Sequence, residues 1–143
     1  MSIRIENRIG VAASTETVWG IIADLERWGD WNPLHPQASG RIAIGGKLDL
    51  VETLEGEPER RFEVRVPDWT PEAQLIWVER PAFLVRTTRY FELEALGETA
   101  TLLANGQILD GLRARDWVVP RRARLAAAFE AINEAIKFRA ESV

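Results

Sequence analysis

The sequence predicts an α+β domain: one antiparallel sheet with helices on one face and a long helix at the C-terminus. Three observations predict it. Apolar residues recur at every second position through most of the stretch from Ile3 to Leu109, as half-buried strands require. Short turns bearing Gly or Pro separate these runs, so successive strands pair antiparallel. From about Pro120 to Ala140 the period lengthens. Leu125, Phe129, Ile132 and Ile136 form a stripe there, with Ala128 and Ala135 on the same side. A helix of about twenty residues spans roughly 30 Å, and a stripe that long needs the sheet as its partner.

The elements follow in order. Ile3, Ile5, Ile9 and Val11 alternate with polar residues and predict a first strand, with Asn7 on its apolar face. Ser14 is suited to cap a helix over roughly residues 15–27, whose inner face is Val18, Ile21, Ile22 and Leu25. Gly29 ends it, and Trp28-Gly29-Asp30-Trp31-Asn32-Pro33-Leu34-His35 predicts a short second helix or turn. Ile42 and Ile44 form a strand that ends at Gly45-Gly46. Leu48, Leu50 and Leu54 give the next, and Phe62, Val64 and Val66 another, with the polar turn Glu55–Glu59 between them. Pro67-Asp68-Trp69-Thr70-Pro71 is a turn, and Leu75–Val78 a strand ended by Arg80-Pro81. Phe83, Val85, Phe91 and Leu93 share one face of a long strand; Thr101, Leu103 and Leu109 share one face of its partner, reached through a turn at Leu96-Gly97-Glu98. Asp116 is placed to cap a preliminary turn, and Pro120 suits the first turn of the final helix.

Composition excludes several function classes. The 143 residues predict one domain over the whole chain, 1–143. The formal charge of −4 argues against a nucleic-acid binder, which is usually basic. There are no cysteines, so disulfides, zinc-thiolate sites and cysteine nucleophiles are out. One histidine leaves only a carboxylate-rich route to a transition metal, and none is expected; nor is any cofactor. Neither a phosphate-binding glycine loop nor a nucleophile elbow is present. No apolar run is long enough to span a bilayer and no signal-peptide pattern follows Met1, so stable membrane insertion is not expected and a cytoplasmic protein is.

Local motifs carry a resemblance over nearly the whole chain. They are Thr17-Val18-Trp19, then Asp24 with Trp28, Trp31 and Pro33, then Gly46-Lys47-Leu48, Leu75-Ile76-Trp77, Phe91-Glu92-Leu93-Glu94 and Gly106 to Gly111. In this order they resemble the helix-grip or SRPBCC superfamily, which holds START lipid-transfer domains, birch-pollen-allergen-like proteins and polyketide cyclases/dehydrases. The resemblance implies a curved seven-stranded sheet gripping the C-terminal helix, with two short helices after the first strand and a ligand cavity between sheet and helix. Cyclase-like relatives commonly place a histidine and a glutamate where this chain has Arg89 and Gln107, a departure that weighs against inherited acid–base chemistry.

Alternation also says which polar residues share the inner face. Phe91 and Leu93 bring Arg89 and Thr87 with them; Leu103 and Leu109 bring Asn105 and Gln107; Leu48 and Leu50 bring Glu52. Charges on a buried face are costly without partners, which points to a wet or ligand-filled space. Arg89 is expected to meet a ligand's carboxylate, enolate or carbonyl, with Asn105 or Leu103 opposite it and Gln107 near Thr87. Asn105 and Gln107 either orient a ligand or satisfy each other. Glu52 is read as solvated where its strand twists out. His35 either borders the cavity or is a surface-loop residue. Trp28, Trp31, Trp77 and Trp117 either wall an apolar pocket, together with Leu50, Phe62, Phe91, Leu125 and Phe129, or are ordinary core and lid residues. Trp19 and Trp69 read as structural. The arginines Arg113, Arg115, Arg121, Arg122 and Arg124 read as a solvated helix face balanced by nearby carboxylates; the alternative is a mouth that attracts anionic ligands or membrane surfaces, against which the net negative charge weighs.

The function these readings give is carriage or sensing of a small, mainly apolar molecule or lipid. An alternative is a cyclase/dehydratase with His35 or Glu52 as acid/base and Arg89 stabilising an enolate. A third is a chaperone-regulator or protein-interaction module.

Overall fold

The computed structural model describes residues 2–142. Strand β1 (Ile3–Val11) leads to α1 (Thr15–Ala23) and a 3-10 helix over Leu25–Asp30. Then come β2 (Gln37–Gly40), β3 (Lys47–Glu52), β4 (Arg60–Arg65), β5 (Trp69–Thr70), β6 (Gln74–Ala82), β7 (Val85–Gly97) and β8 (Ala100–Asp110). The chain closes with α2 (Ala114–Val118) and α3 (Arg122–Glu141). All pairings are antiparallel, in the order β1-β8-β7-β6-β4-β3-β2, with β5 attached to β6. The sheet therefore has eight strands; the added one is a two-residue pair formed inside the expected turn, Trp69 against Leu75.

The long helix buries Leu125, Phe129, Ile132 and Ile136, the stripe read from the sequence, and adds Asn133 and Ala140. Asn133 is tolerable in that seam because its Nδ2 donates to the backbone and side-chain oxygens of Asn7, at 3.0 and 2.9 Å. Ser14 caps α1 by accepting from Thr17 N at 3.2 Å.

Several boundaries differ from expectation, each for a local reason. Helix α1 stops at Ala23, not near residue 27: the Trp28 indole donates to Ile22 O at 2.9 Å and takes an acceptor the next turn would use. The strand expected at Ile42 and Ile44 lies earlier, because Gly40 at φ +125° turns the chain out of β2; Ile44 is 75% exposed. Phe83 is not on the inner face of β7, since it shares a tight turn with Leu84, which has φ +60°, and stands in solvent. Asp116 lies inside the first turn of α2 instead of capping it; the cap position is Arg113 and makes no side-chain hydrogen bond.

One feature of the topology positions the site. Strands β4 and β6 meet at a single pair, Arg65 with Val78, and then diverge. The wedge between them opens about 240 Å³, lined by Arg60, Phe62, Val64, Val78 and Glu79 among others. The sheet folds over at this weak seam. That brings β3, three places from β7 in strand order, across the concave face from it.

Candidate functional site

The concave face carries a chain of buried charges. Arg89, only 2% exposed, is its centre. Its Nε donates to Gln107 Oε1 at 2.7 Å, one terminal nitrogen to Glu52 Oε1 at 2.7 Å, and the other lies 3.2 Å from His35 Nε2. Arg60 continues the chain, donating to Glu52 Oε2 at 2.9 Å and Glu79 Oε1 at 3.0 Å. Two guanidinium groups face two carboxylates, so the network balances its own charge. The Arg89 guanidinium also lies 5.5 Å from the centre of the Phe129 ring, which ties the network to α3.

His35 reaches this place because its loop is pinned. Asn32 Oδ1 accepts from the backbone N–H groups of Leu34 and His35, at 3.0 and 2.9 Å. Thr53 donates from its backbone to Leu34 O at 2.8 Å and from its hydroxyl to Pro33 O at 3.1 Å. The imidazole then sits among Trp28, Phe62 and Trp77, with ring centres 5.9–6.4 Å away. Its tautomer follows from its neighbours. The carbonyl of Val51, 3.1 Å from Nδ1, can only accept, and the Arg89 guanidinium can only donate. Nδ1 therefore carries the proton and Nε2 presents a lone pair.

Burial, then the Arg89 charge, pulls the His35 pKa down from 6.5 to about 4. Burial alone would raise Glu52, but the surrounding charges, Arg89 foremost, outweigh it and hold the carboxyl at about 2. Both shifts make the fold less stable in acid. Between about 6.5 and 4 the unfolded chain takes a proton on His35 that the folded chain refuses; between 4.5 and about 2 the same holds for Glu52. Since His35 is the single histidine, it dominates the upper window. Urea unfolding should show about 2 kcal/mol less stability at pH 5 than at pH 7, and His35→Gln should flatten that slope.

Around Arg89 lies a set of polar atoms with no protein partner: Trp77 Nε1, Gln107 Nε2, Thr87 Oγ1 and Glu79 Oε2. Register explains their gathering. Trp77, Arg89 and Gln107 stand side by side on β6, β7 and β8, and Glu79 and Thr87 form the next row. Three of the four atoms belong to groups that donate hydrogen bonds, so the site is rich in donors. An open cleft of about 220 Å³ touches the network at Glu52 and Arg60 and is lined also by Leu54, Pro81, Trp117 and Arg121 among others. Arg60 borders both this cleft and the β4/β6 wedge, and so separates the network from solvent.

No family model and no curated protein sequence matches this chain. Solved structures do. The Zhui aromatase/cyclase from Streptomyces sp. R1128 aligns with a TM-score of 0.75 at 20% identity, over 99% of this chain and 94% of that one. A START superfamily protein from Mycobacterium smegmatis aligns with a TM-score of 0.75 at 22% identity, over 97% of each chain. The chain has the helix-grip fold. Norcoclaurine synthase from Thalictrum flavum, in complex with dopamine and hydroxybenzaldehyde, shares that fold at a TM-score of 0.73 and 14% identity, over 99% of this chain and 88% of that one. Likeness at these identities establishes the helix-grip architecture; activity has to be argued from the site.

Within this helix-grip frame the residues named from sequence fall into three groups. Arg89, Gln107 and His35 are hydrogen-bonded to one another through Arg89. Trp28, Trp31, Phe62, Trp77 and Phe91 form one aromatic cluster around His35, while Leu50, Leu125 and Phe129 are buried core. Trp117 stands apart at the cleft, beneath Arg121 at 4.8 Å, and Asn105 turns to the helix, 3.5 Å from Phe129 O.

Four readings need correction. Glu52 is buried and paired, not solvated, because the fold of the sheet delivers it to Arg89. His35 is not a surface-loop residue. Gln107, not Asn105 or Leu103, lies opposite Arg89, and Leu109 lies opposite Thr87. Arg89 therefore needs no ligand carboxylate, since Glu52 already supplies the charge. Arg60 and Glu79 were missed. Continuing the alternation of Leu75 and Trp77 by one step would have placed Glu79 inward, and stepping back from Val64 and Phe62 would have placed Arg60 on the same face.

Proposed function

We propose that this protein reversibly binds a small, mainly apolar molecule carrying a neutral oxygen acceptor such as a ketone or enol. The unpartnered donors beside Arg89 carry this reading. A charge-balanced network offers an incoming anion little net attraction. Free donors of Trp77, Gln107 and Thr87, with the two N–H groups that Arg89 does not use, suit a carbonyl oxygen. The aromatic cluster supplies apolar contact for the remainder of the molecule. Entry is by the cleft under Trp117, past Arg60. That the structurally similar Zhui protein is an aromatase/cyclase supports an oxygenated aromatic ligand as the class.

Carriage is favoured over acid–base turnover by the tuning of the two candidate groups. A general base is most effective with a pKa near the working pH. His35, at about 4, and Glu52, at about 2, both lie well below it. His35 also spends its free lone pair on Arg89. The cyclase reading keeps one specific support: the same donors would stabilise an enolate oxygen without any base of matched pKa.

Calorimetric titration with 2-acetylnaphthalene and with 2-ethylnaphthalene, which lacks the carbonyl, tests the proposal. Saturable binding of the ketone, tighter than the hydrocarbon by about tenfold or more, is expected for a hydrogen bond to charged or buried donors. Equal affinity would remove the role assigned to the donors, and no saturable binding of either would remove the site.

A further inference from the structure

We propose that the end of the molecule around the cleft docks on anionic membrane surfaces. Three connections bring large apolar side chains together there. Phe83 and Leu84 form the turn between β6 and β7, Leu112 lies between β8 and α2, and Val119 follows α2. They are 77%, 43%, 88% and 65% exposed. Backbone contacts hold the first two of these connections side by side. Arg113 N donates to Leu84 O at 3.1 Å, and Gly111 passes so close to Leu84 O that a Cβ would collide with it. Pro81 and Trp117 then join the same two segments at the rim of the cleft.

The charge at this end opposes that of the whole. The segments 80–86 and 110–124 hold seven arginines against two carboxylates, Asp110 and Asp116, in a chain of formal charge −4. Arg121 and Arg124 are held by Glu57, at 2.6 and 3.7 Å. Glu59, the remaining carboxylate at the cleft rim, pairs with Arg61 at 3.7 Å. Arg80, Arg86, Arg113, Arg115 and Arg122 are exposed and have no ion-pair partner among the described residues. Isolated apolar side chains at turn tips, ringed by unpaired arginines, match an anionic bilayer interface: the apolar groups enter the headgroup boundary while the guanidinium groups meet lipid phosphates. Phe83 and Leu112 stand on separate connections, 77% and 88% exposed, and so offer single side chains for insertion instead of the packed apolar centre of a protein interface. No helix among the described residues is long and apolar enough to cross a membrane, so the contact is peripheral. Docking needs no ligand and does not rest on the binding proposal above.

Vesicle co-sedimentation of the ligand-free protein tests this, using phosphatidylcholine with and without phosphatidylglycerol. Binding should require phosphatidylglycerol and weaken as salt is raised. Each arginine near the surface contributes about fivefold to affinity, so Arg113→Glu with Arg115→Glu should lower it by about tenfold or more. Phe83→Asp with Leu112→Asp should abolish it. All four positions are exposed, and circular dichroism should show an unchanged fold. Phe138→Asp is the control: Phe138 is just as exposed but lies about 24 Å along α3 from the cleft end, and its change should have no effect. Absence of binding to anionic vesicles would overturn the proposal. So would binding that ignores Phe83 and Leu112, as a purely electrostatic surface for acidic proteins would, or equal loss in the control.

Discussion

Replacing Glu52 by Gln should cost the fold about 3–5 kcal/mol at pH 7, the range for removing one partner from a buried ion pair. Glutamine keeps the shape and one acceptor oxygen, so the loss reports charge. Without Glu52 the interior holds Arg89 and Arg60 against Glu79 alone, and Arg89 is too deeply buried for solvent to screen its charge. The companion variant gives the sharper expectation. Arg89→Met in the same background removes the stranded cation and leaves Arg60 paired with Glu79. The double variant should then be more stable than the Glu52→Gln single, recovering at least about half the loss. Urea unfolding measures both. A single-variant loss below about 1 kcal/mol, or additive losses in the double, would mean the pair is hydrated and uncoupled.

Phe129→Ala should be as costly, at about 3–5 kcal/mol. The ring is buried in the middle of the α3 stripe and does two jobs. It fills the space between helix and sheet, and its face receives the Arg89 guanidinium at 5.5 Å. Phe129→Leu separates the two. It restores most of the volume and loses the ring face, so the cost should fall to about 1–2 kcal/mol. Equal losses for Ala and Leu would place the energy in the ring's contact with Arg89 instead of in the grip of the helix.

The elements that could be read in the sequence are those whose residues obey a period. The α3 stripe, the alternation of β1, β3, β4, β7 and β8, and the Ser14 cap all follow from spacing alone. Arg89 and Gln107 could be assigned to the inner face for the same reason. Alternation assigns a face; it says nothing of curvature or register. Glu52 stands three strands from Arg89 in the sheet order, and the single-pair seam between β4 and β6 folds the sheet enough to join them. The register of β7 against β8 includes a one-residue shift between Ala95 and Gly97; extended without it, the hairpin would set Ile108 opposite Arg89, and with it Gln107 stands there. His35 sits in a loop with no period at all. Its burial comes from one Asn32 side chain and one threonine, contacts that no local pattern announces. Exposed Phe83, by contrast, was misplaced because alternation was extended through a turn.

Neutral His35 turns its lone pair toward Arg89, beside the proposed ligand site. Because the chain has one histidine, nitrogen-15 spectra of the labelled protein report it without assignment work. At pH 7 the ring should be neutral and protonated on Nδ1, with no titration until the pH approaches about 4, and the Nε2 resonance should shift saturably on adding 2-acetylnaphthalene. Titration near the ordinary 6.5, the opposite tautomer, or an Nε2 resonance indifferent to a ketone that binds would contradict this assignment.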